Sequence, residues 1–168
     1  MPKPQVIYIV RHAIAEERGP EWPDDSVRPL TSKGAARMRQ AIRGLRQLDV
    51  DINVILTSPL LRAHQTSELL AEGLKSEPAI EVALALAPGG SPAAVADAAS
   101  HFAKAREVAL VGHEPDLGKL AAWFIGAHIA PVFKKGGVCR IDFNGGLAGG
   151  AGQLIWSATP GMLRALGK

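Results

Sequence analysis

Short apolar runs recur along this chain, and between them apolar residues return every three or four positions. Val6-Ile7-Tyr8-Ile9-Val10, Val54-Ile55-Leu56 and Val108-Ala109-Leu110-Val111 are unbroken apolar runs of strand length, as expected of strands covered on both faces. They place strands at Val6 to Val10, Asn53 to Thr57 and Glu107 to Val111. Ala35, Met38, Ile42, Leu45 and Leu48 make one helical stripe, behind a cap at Thr31 or Ser32. Arg37, Arg39, Arg43 and Arg46 fall largely off that stripe, on a solvated face. Ser58-Pro59, a cap residue followed by Pro at the first helical position, predicts a helix through Leu61, Leu69 and Leu70 toward Gly73. Ile80 to Val82 gives a short strand and Pro92 to Ala103 an Ala-rich helix. Pro115 opens another helix, with Leu117, Leu120, Ala121, Phe124 and Ile125 on one face. Val138 to Phe143 and Gln153 to Ser157 read as a hairpin. Its connection, Asn144 to Gly152, holds five Gly and no charge, the pattern of a flexible surface loop. Strand alternating with helix predicts a three-layer α/β/α sandwich with a mostly parallel sheet and an antiparallel piece at the C-terminal end.

Composition narrows the class without changing this picture. A chain of 168 residues, 47% apolar and 21% charged, reads as one globular domain over residues 1–168, with enough core to need no metal or disulfide. The single Cys139 excludes an internal disulfide and fits a small buried hydrophobe. A net charge of +3 with no aromatics among the basic residues gives no support for nucleic acid. The stretch from Met1 to Pro4 leads into only a five-residue apolar run, too short for a signal-peptide core or a membrane span, so a cytoplasmic protein without membrane association is expected.

Chemistry gathers just past the strands. The first apolar run ends in Arg11-His12, the second in Thr57-Ser58-Pro59 with Arg62 three residues on, and the third in Gly112-His113. Open α/β sheets bind ligands outside the carboxyl ends of their strands. Two guanidinium forks and two imidazoles converging there suit a phosphoryl group: the forks match its oxygens in pairs, and a neutral imidazole is a competent nucleophile toward phosphorus. Arginine charge nearby is expected to lower the histidine pKa and favour the unprotonated nucleophile. A zinc site is a poorer reading, because ligand spacing is absent and two arginines would repel a dication. No G-x-S-x-G elbow occurs and Ser58 precedes Pro in a cap position, which argues against a serine nucleophile. No glycine cluster ends in the Gly-Lys-Ser/Thr of a P-loop. The stretch from Ala13 to Thr31, long and without periodicity, is expected to be functional rather than filler.

These residues resemble a known family. Val10-Arg11-His12-Ala13 is similar to the Arg-His-Gly signature of the histidine phosphatase (phosphoglycerate-mutase-like) superfamily, with Ala in place of Gly. Ser58-Pro59-x-x-Arg62-x-x-x-Thr66 resembles its second motif, Gly112-His113-Glu114-Pro115 its third, and Leu30-Thr31-x-x-Gly34 its helix start. Ser26 to Thr31, the short length and Leu86-Ala87-Pro88-Gly89-Gly90 look like the SixA-type phosphohistidine phosphatases. The resemblance implies a phosphoglycerate-mutase-like fold and a phosphorylated nucleophile at His12. It assigns Arg11, Arg62 and His113 to binding and polarising the phosphoryl group, and nominates Arg28, otherwise a surface arginine, for the groove. Glu114 has two readings: a proton donor that widens the range to phosphate esters, or a carboxylate at a helix N-terminus where the dipole favours it. Ala13 carries a Cβ, so its backbone is expected to avoid positive φ.

The resemblance thus implies a metal-free, cofactor-free phosphohydrolase acting on phosphohistidine in a partner protein, such as a phosphotransfer domain or phosphocarrier. Two alternatives stay open: a phosphatase of a small or nucleotide-derived phosphate ester, and a non-catalytic phospho-binding module on the same fold.

Overall fold

Each apolar run alternates its side chains between two cores, so both faces of the sheet must be covered by helices. A computed structural model describes residues 3–168; Met1 and Pro2, the first half of the amino-terminal stretch, lie outside the described residues. Strand β1 (Gln5–Arg11) sends Val6, Tyr8 and Val10 into one core and Ile7 and Ile9 into the other. The first core is closed by α1 (Ser32–Gln47), α2 (Leu61–Gly73) and a short helix α5 (Pro160–Leu166), the second by α3 (Pro92–Ser100) and α4 (Asp116–Ile125). The result is the three-layer sandwich expected from the sequence.

Among the described residues, six strands form one sheet in the order β3-β2-β4-β1-β5-β6. Strands β2 (Val54–Thr57), β3 (Ala79–Val82) and β4 (Glu107–Gly112) run parallel to β1, and the hairpin β5 (Val138–Phe143) and β6 (Gln153–Ala158) is antiparallel. Arg11 pairs with Gly112 and Thr57 with Val111, so β1, β2 and β4 end level with one another. The next residue along β1 and β2 is still held to the ladder: the His12 amide donates to Gly112 O at 3.1 Å and the Ser58 amide to Val111 O at 2.9 Å. Strand register therefore brings three segments distant in sequence to one edge.

Helix α1 starts at the predicted cap, where Thr31 Oγ1 accepts from the Gly34 amide at 2.8 Å. Gly34 is needed there for packing, since a Cβ would fall 2.1 Å from Ile14 O. The four arginines of the predicted polar face are exposed.

Four expectations change. Helix α2 begins at Leu61 rather than Pro59, because Ser58 still belongs to the sheet ladder and Leu60, in extended conformation, is the cap. The Ala-rich helix α3 ends at Ser100, three residues early. The Gly-rich connection is not a free loop: Gly150 N and Gly152 N donate to Trp123 O and Phe124 O at 2.9 and 2.8 Å, tying it to the end of α4. Helix α5 is an element that the sequence pattern does not announce; it packs across α1 where Gly44 brings the backbones together. Cys139 is buried, and no described helix is long and apolar enough to cross a membrane.

Candidate active site

His12 is the first residue beyond β1, and the carbonyl of its neighbour Ala13 fixes its ring. Nδ1 lies 2.7 Å from the Ala13 carbonyl oxygen. A carbonyl only accepts, so Nδ1 carries the proton and Nε2 keeps its lone pair. The Ala13 amide donates to Thr66 Oγ1 at 3.0 Å, which anchors this turn to α2. Ala13 is not among the described residues with positive φ, as its Cβ requires.

The His113 ring stands opposite, its centroid 5.2 Å from that of His12. Its Nε2 is 2.7 Å from Ser58 Oγ, which also accepts from the Leu60 amide at 3.2 Å. The His113 Nδ1 is buried and has no partner among the described residues. No carboxylate backs it, so Ser58 and His113 do not make a serine-nucleophile triad. Sequence alone makes Ser58 a helix cap; its partner His113 lies 55 residues on, beyond any local pattern.

Two arginines line the same cavity as the two imidazoles. Arg11 is held through one terminal nitrogen by Phe133 O at 2.7 Å, and its Nε is buried without a partner. Arg62, at 2% exposure, projects from the first turn of α2 and donates to Asp25 O at 2.9 Å and to Asp25 Oδ2 at 3.0 Å, leaving its own Nε unpartnered. Arg11 Nε, Arg62 Nε and His113 Nδ1 are thus buried polar atoms without a partner, and their three residues line one cavity together with His12. Native interiors tolerate few such groups.

Electrostatics agree with this arrangement. Burial pushes the His12 imidazole down to about 3; its bond to Ala13 opposes that, while His113, Arg62 and Arg11 add to it. Burial likewise takes His113 down to about 4, with Arg62 and Arg11 lowering it further and Asp116 and Asp25 opposing. Both rings are neutral near pH 7. The arginines lower these values as expected, but desolvation is the larger cause.

Arg28 is buried at 7% exposure, not a surface arginine, and lines the same cavity of about 340 Å³ as Arg11, His12, Arg62, His113 and Glu114. It donates to Asp25 Oδ1 at 2.8 Å and to the Glu16 carbonyl. Asp25 therefore clamps two arginines at once. Burial raises the Asp25 pKa, but Arg28 and Arg62 outweigh this and hold it below the usual carboxylate range. Glu114 has both oxygens occupied, by the Gly118 amide at 2.6 Å and the Phe133 amide at 3.2 Å. That is the geometry of a carboxylate fixing a helix start. Sequence reasoning misses Asp25, Ser58, Glu16, Glu17 and Lys135; the last three also line the cavity. Only the position of Asp25, Glu16 and Glu17 in the long Ala13-to-Thr31 stretch hints at them. His64 pairs with Glu68 on the exposed side of α2, outside the cavity.

Among the described residues no three His, Cys, Asp or Glu side chains cluster as metal ligands.

Comparison with known proteins agrees with this geometry. Residues 7–85 match the model of the histidine phosphatase superfamily (branch 1). The chain is 28% identical over 156 residues to the phosphohistidine phosphatase SixA of Escherichia coli strain K12, covering 92% of this chain and 93% of that protein. It is 42% identical over 117 residues to an uncharacterized protein of Picosynechococcus sp. strain PCC 7002, covering 68% of this chain and 70% of the relative. A solved structure of the protein histidine phosphatase SixA complexed with tungstate superposes with a TM-score of 0.83 at 28% identity, over 93% of this chain and 97% of the other. With its three motifs gathered at one sheet edge, the chain belongs to the histidine phosphatase superfamily and is a phosphatase.

Proposed function

We propose that this phosphatase removes the phosphoryl group from phosphohistidine on a partner protein, with His12 as the nucleophile. The observation that carries the reading is the convergence of Arg11, Arg62 and His113 on one cavity of about 340 Å³ with His12, whose Nε2 is left free. Donors positioned before the substrate arrives stabilise charge on the phosphoryl oxygens without reorganising during transfer.

His12 Nε2 attacks phosphorus, forming a P–N bond as the P–N bond to the substrate imidazole breaks. The leaving imidazole takes a proton from solvent, or already carries one on its other ring nitrogen. The phosphorylated His12 ring gains positive character, which its Nδ1–H bond to the Ala13 carbonyl offsets. Water then attacks phosphorus, the bond to Nε2 breaks, and inorganic phosphate leaves. No step requires a metal, since guanidinium charge neutralises the oxygens. The likeness to SixA supports this substrate, and the tungstate held by SixA is a tetrahedral oxyanion like phosphate.

The engagement of both Glu114 oxygens also favours a P–N substrate, whose leaving group asks little of an acid. One observation favours an ester instead: Glu16 and Glu17 line the cavity and are carboxyls a poor leaving group would need.

The test is phosphate release without added metal from a phosphohistidine protein and from a panel of small esters, with wild type, His12→Ala and a Glu16→Gln/Glu17→Gln double variant. Fast, His12-dependent release from phosphohistidine that survives the double Gln change is expected. Preference for an ester, lost in the double variant, would overturn the phosphohistidine assignment. No turnover of any phosphate compound would favour a binding module.

A further inference from the structure

Beside the phosphoryl site lies a second, larger cavity that the reaction does not use. It measures about 480 Å³ and is walled by α1, α5 and the turn at residues 134–136. Cavities of this size hold small organic ligands. Arg37, Lys134, Lys135 and Arg164 line it, no carboxylate does, and none of the four makes an ion pair among the described residues. Its floor is apolar: Met38 and Ala41 are buried in α1, with Ile14 and Pro160 at the sides. Gly136, at φ +84°, closes the wall against Met38 and Pro160, each 3.5 Å from where a Cβ would stand.

We propose that this cavity binds a ring-bearing polyanion of the nucleoside diphosphate class. Four unpaired cations without a counter-charge suit two or more phosphate groups, and guanidinium donors match phosphate oxygens in pairs. A thioether and a proline face suit a flat ring, and guanidinium planes stack on one. Inorganic phosphate or pyrophosphate would satisfy the cations and leave the floor bare. Arg11 and Lys135 line both cavities, so an occupant here draws on charge that the phosphoryl site also uses. This inference goes beyond the phosphatase reading and stands or falls on binding alone.

Calorimetric titration with ADP, pyrophosphate and adenosine tests it, on wild type, Arg37→Glu, Arg164→Ala and Arg62→Ala. ADP is expected to bind at least tenfold more tightly than pyrophosphate or adenosine. Arg37→Glu should weaken ADP at least tenfold and Arg164→Ala severalfold, while both keep wild-type hydrolysis of a small phosphate ester, which confirms folding. Arg62→Ala, altered only in the phosphoryl site, should bind ADP within about twofold of wild type. Loss of ADP binding in Arg62→Ala but not in Arg37→Glu would overturn the proposal, because the nucleotide would then sit in the phosphoryl site. So would equal affinity for pyrophosphate, hydrolysis of ADP, or no binding at millimolar concentration.

Discussion

Lowering the pH from 7 to 5 should destabilise this protein through two residues, His12 and His113. Both are buried at 5% exposure, and their pKa values fall from 6.5 to about 3 and about 4. In the unfolded chain each imidazole takes a proton near pH 6.5, whereas in the folded chain neither does until far lower pH. Between pH 6.5 and about 4 the unfolded state binds more protons, so stability falls as pH falls through that window. At pH 5 each ring sits about 1.5 units below its ordinary pKa, and at about 1.36 kcal/mol per unit this costs about 2 kcal/mol per ring. The pair should cost about 4 kcal/mol, a large share of the roughly 5–15 kcal/mol by which proteins are stable. Staying at pH 5 keeps most carboxylates ionised, so their contribution changes little. Urea unfolding at the two pH values, at fixed ionic strength, measures the difference. His12→Ala should lose about half as much as wild type, and His12→Ala/His113→Ala very little; each variant serves as its own reference, so cavity effects cancel. A wild type indifferent to pH over this range, or a double variant as sensitive as wild type, would refute the reasoning.

Three further outcomes rest on named contacts. Arg62→Lys keeps a charge but loses the fork that spans Asp25 and the phosphoryl site; kcat/KM should fall about 10²–10³-fold, about 3–4 kcal/mol, as for other preorganised donors. Unchanged steady-state kinetics would contradict this. Ser58→Ala removes the hydroxyl that holds the His113 ring through Nε2, so kcat should drop at least tenfold; an unchanged kcat would contradict it. Gly44→Ala places a Cβ 1.9 Å from Leu163 O and should separate α5 from α1, costing about 1–3 kcal/mol in urea unfolding as overpacking does, with the phosphoryl site unaffected.

Much of the fold is legible in the sequence because its strands are continuous apolar runs and its main helices carry clean stripes and caps. Thr31, Pro115 and Pro92 mark helix starts to within a residue. What stays hidden depends on partners far away in sequence. Ser58 reads as a cap until β4 supplies His113, and Asp25 reads as a loop carboxylate until α2 supplies Arg62. Arg28 cannot be told from a surface arginine by its neighbours, because its burial comes from the way the stretch from Ala13 to Thr31 folds back, with Ala15 bridged to Leu30. Helix α5 is only seven residues long with a single buried side chain, Leu163, too little periodicity to read. His12, Arg11, Arg62 and His113 are visible because strand ends gather at one edge whatever the loops do.

Everything proposed for this site turns on His12 taking the phosphoryl group onto itself. Rapid-quench labelling measures that step: a phosphohistidine protein carrying radioactive phosphate is mixed with the enzyme, quenched in base, and the enzyme is digested and mapped. A transient, acid-labile label on His12, absent in His12→Ala, is the predicted result. Steady phosphate release with no label on His12 at any time, or release undiminished in His12→Ala, would contradict it.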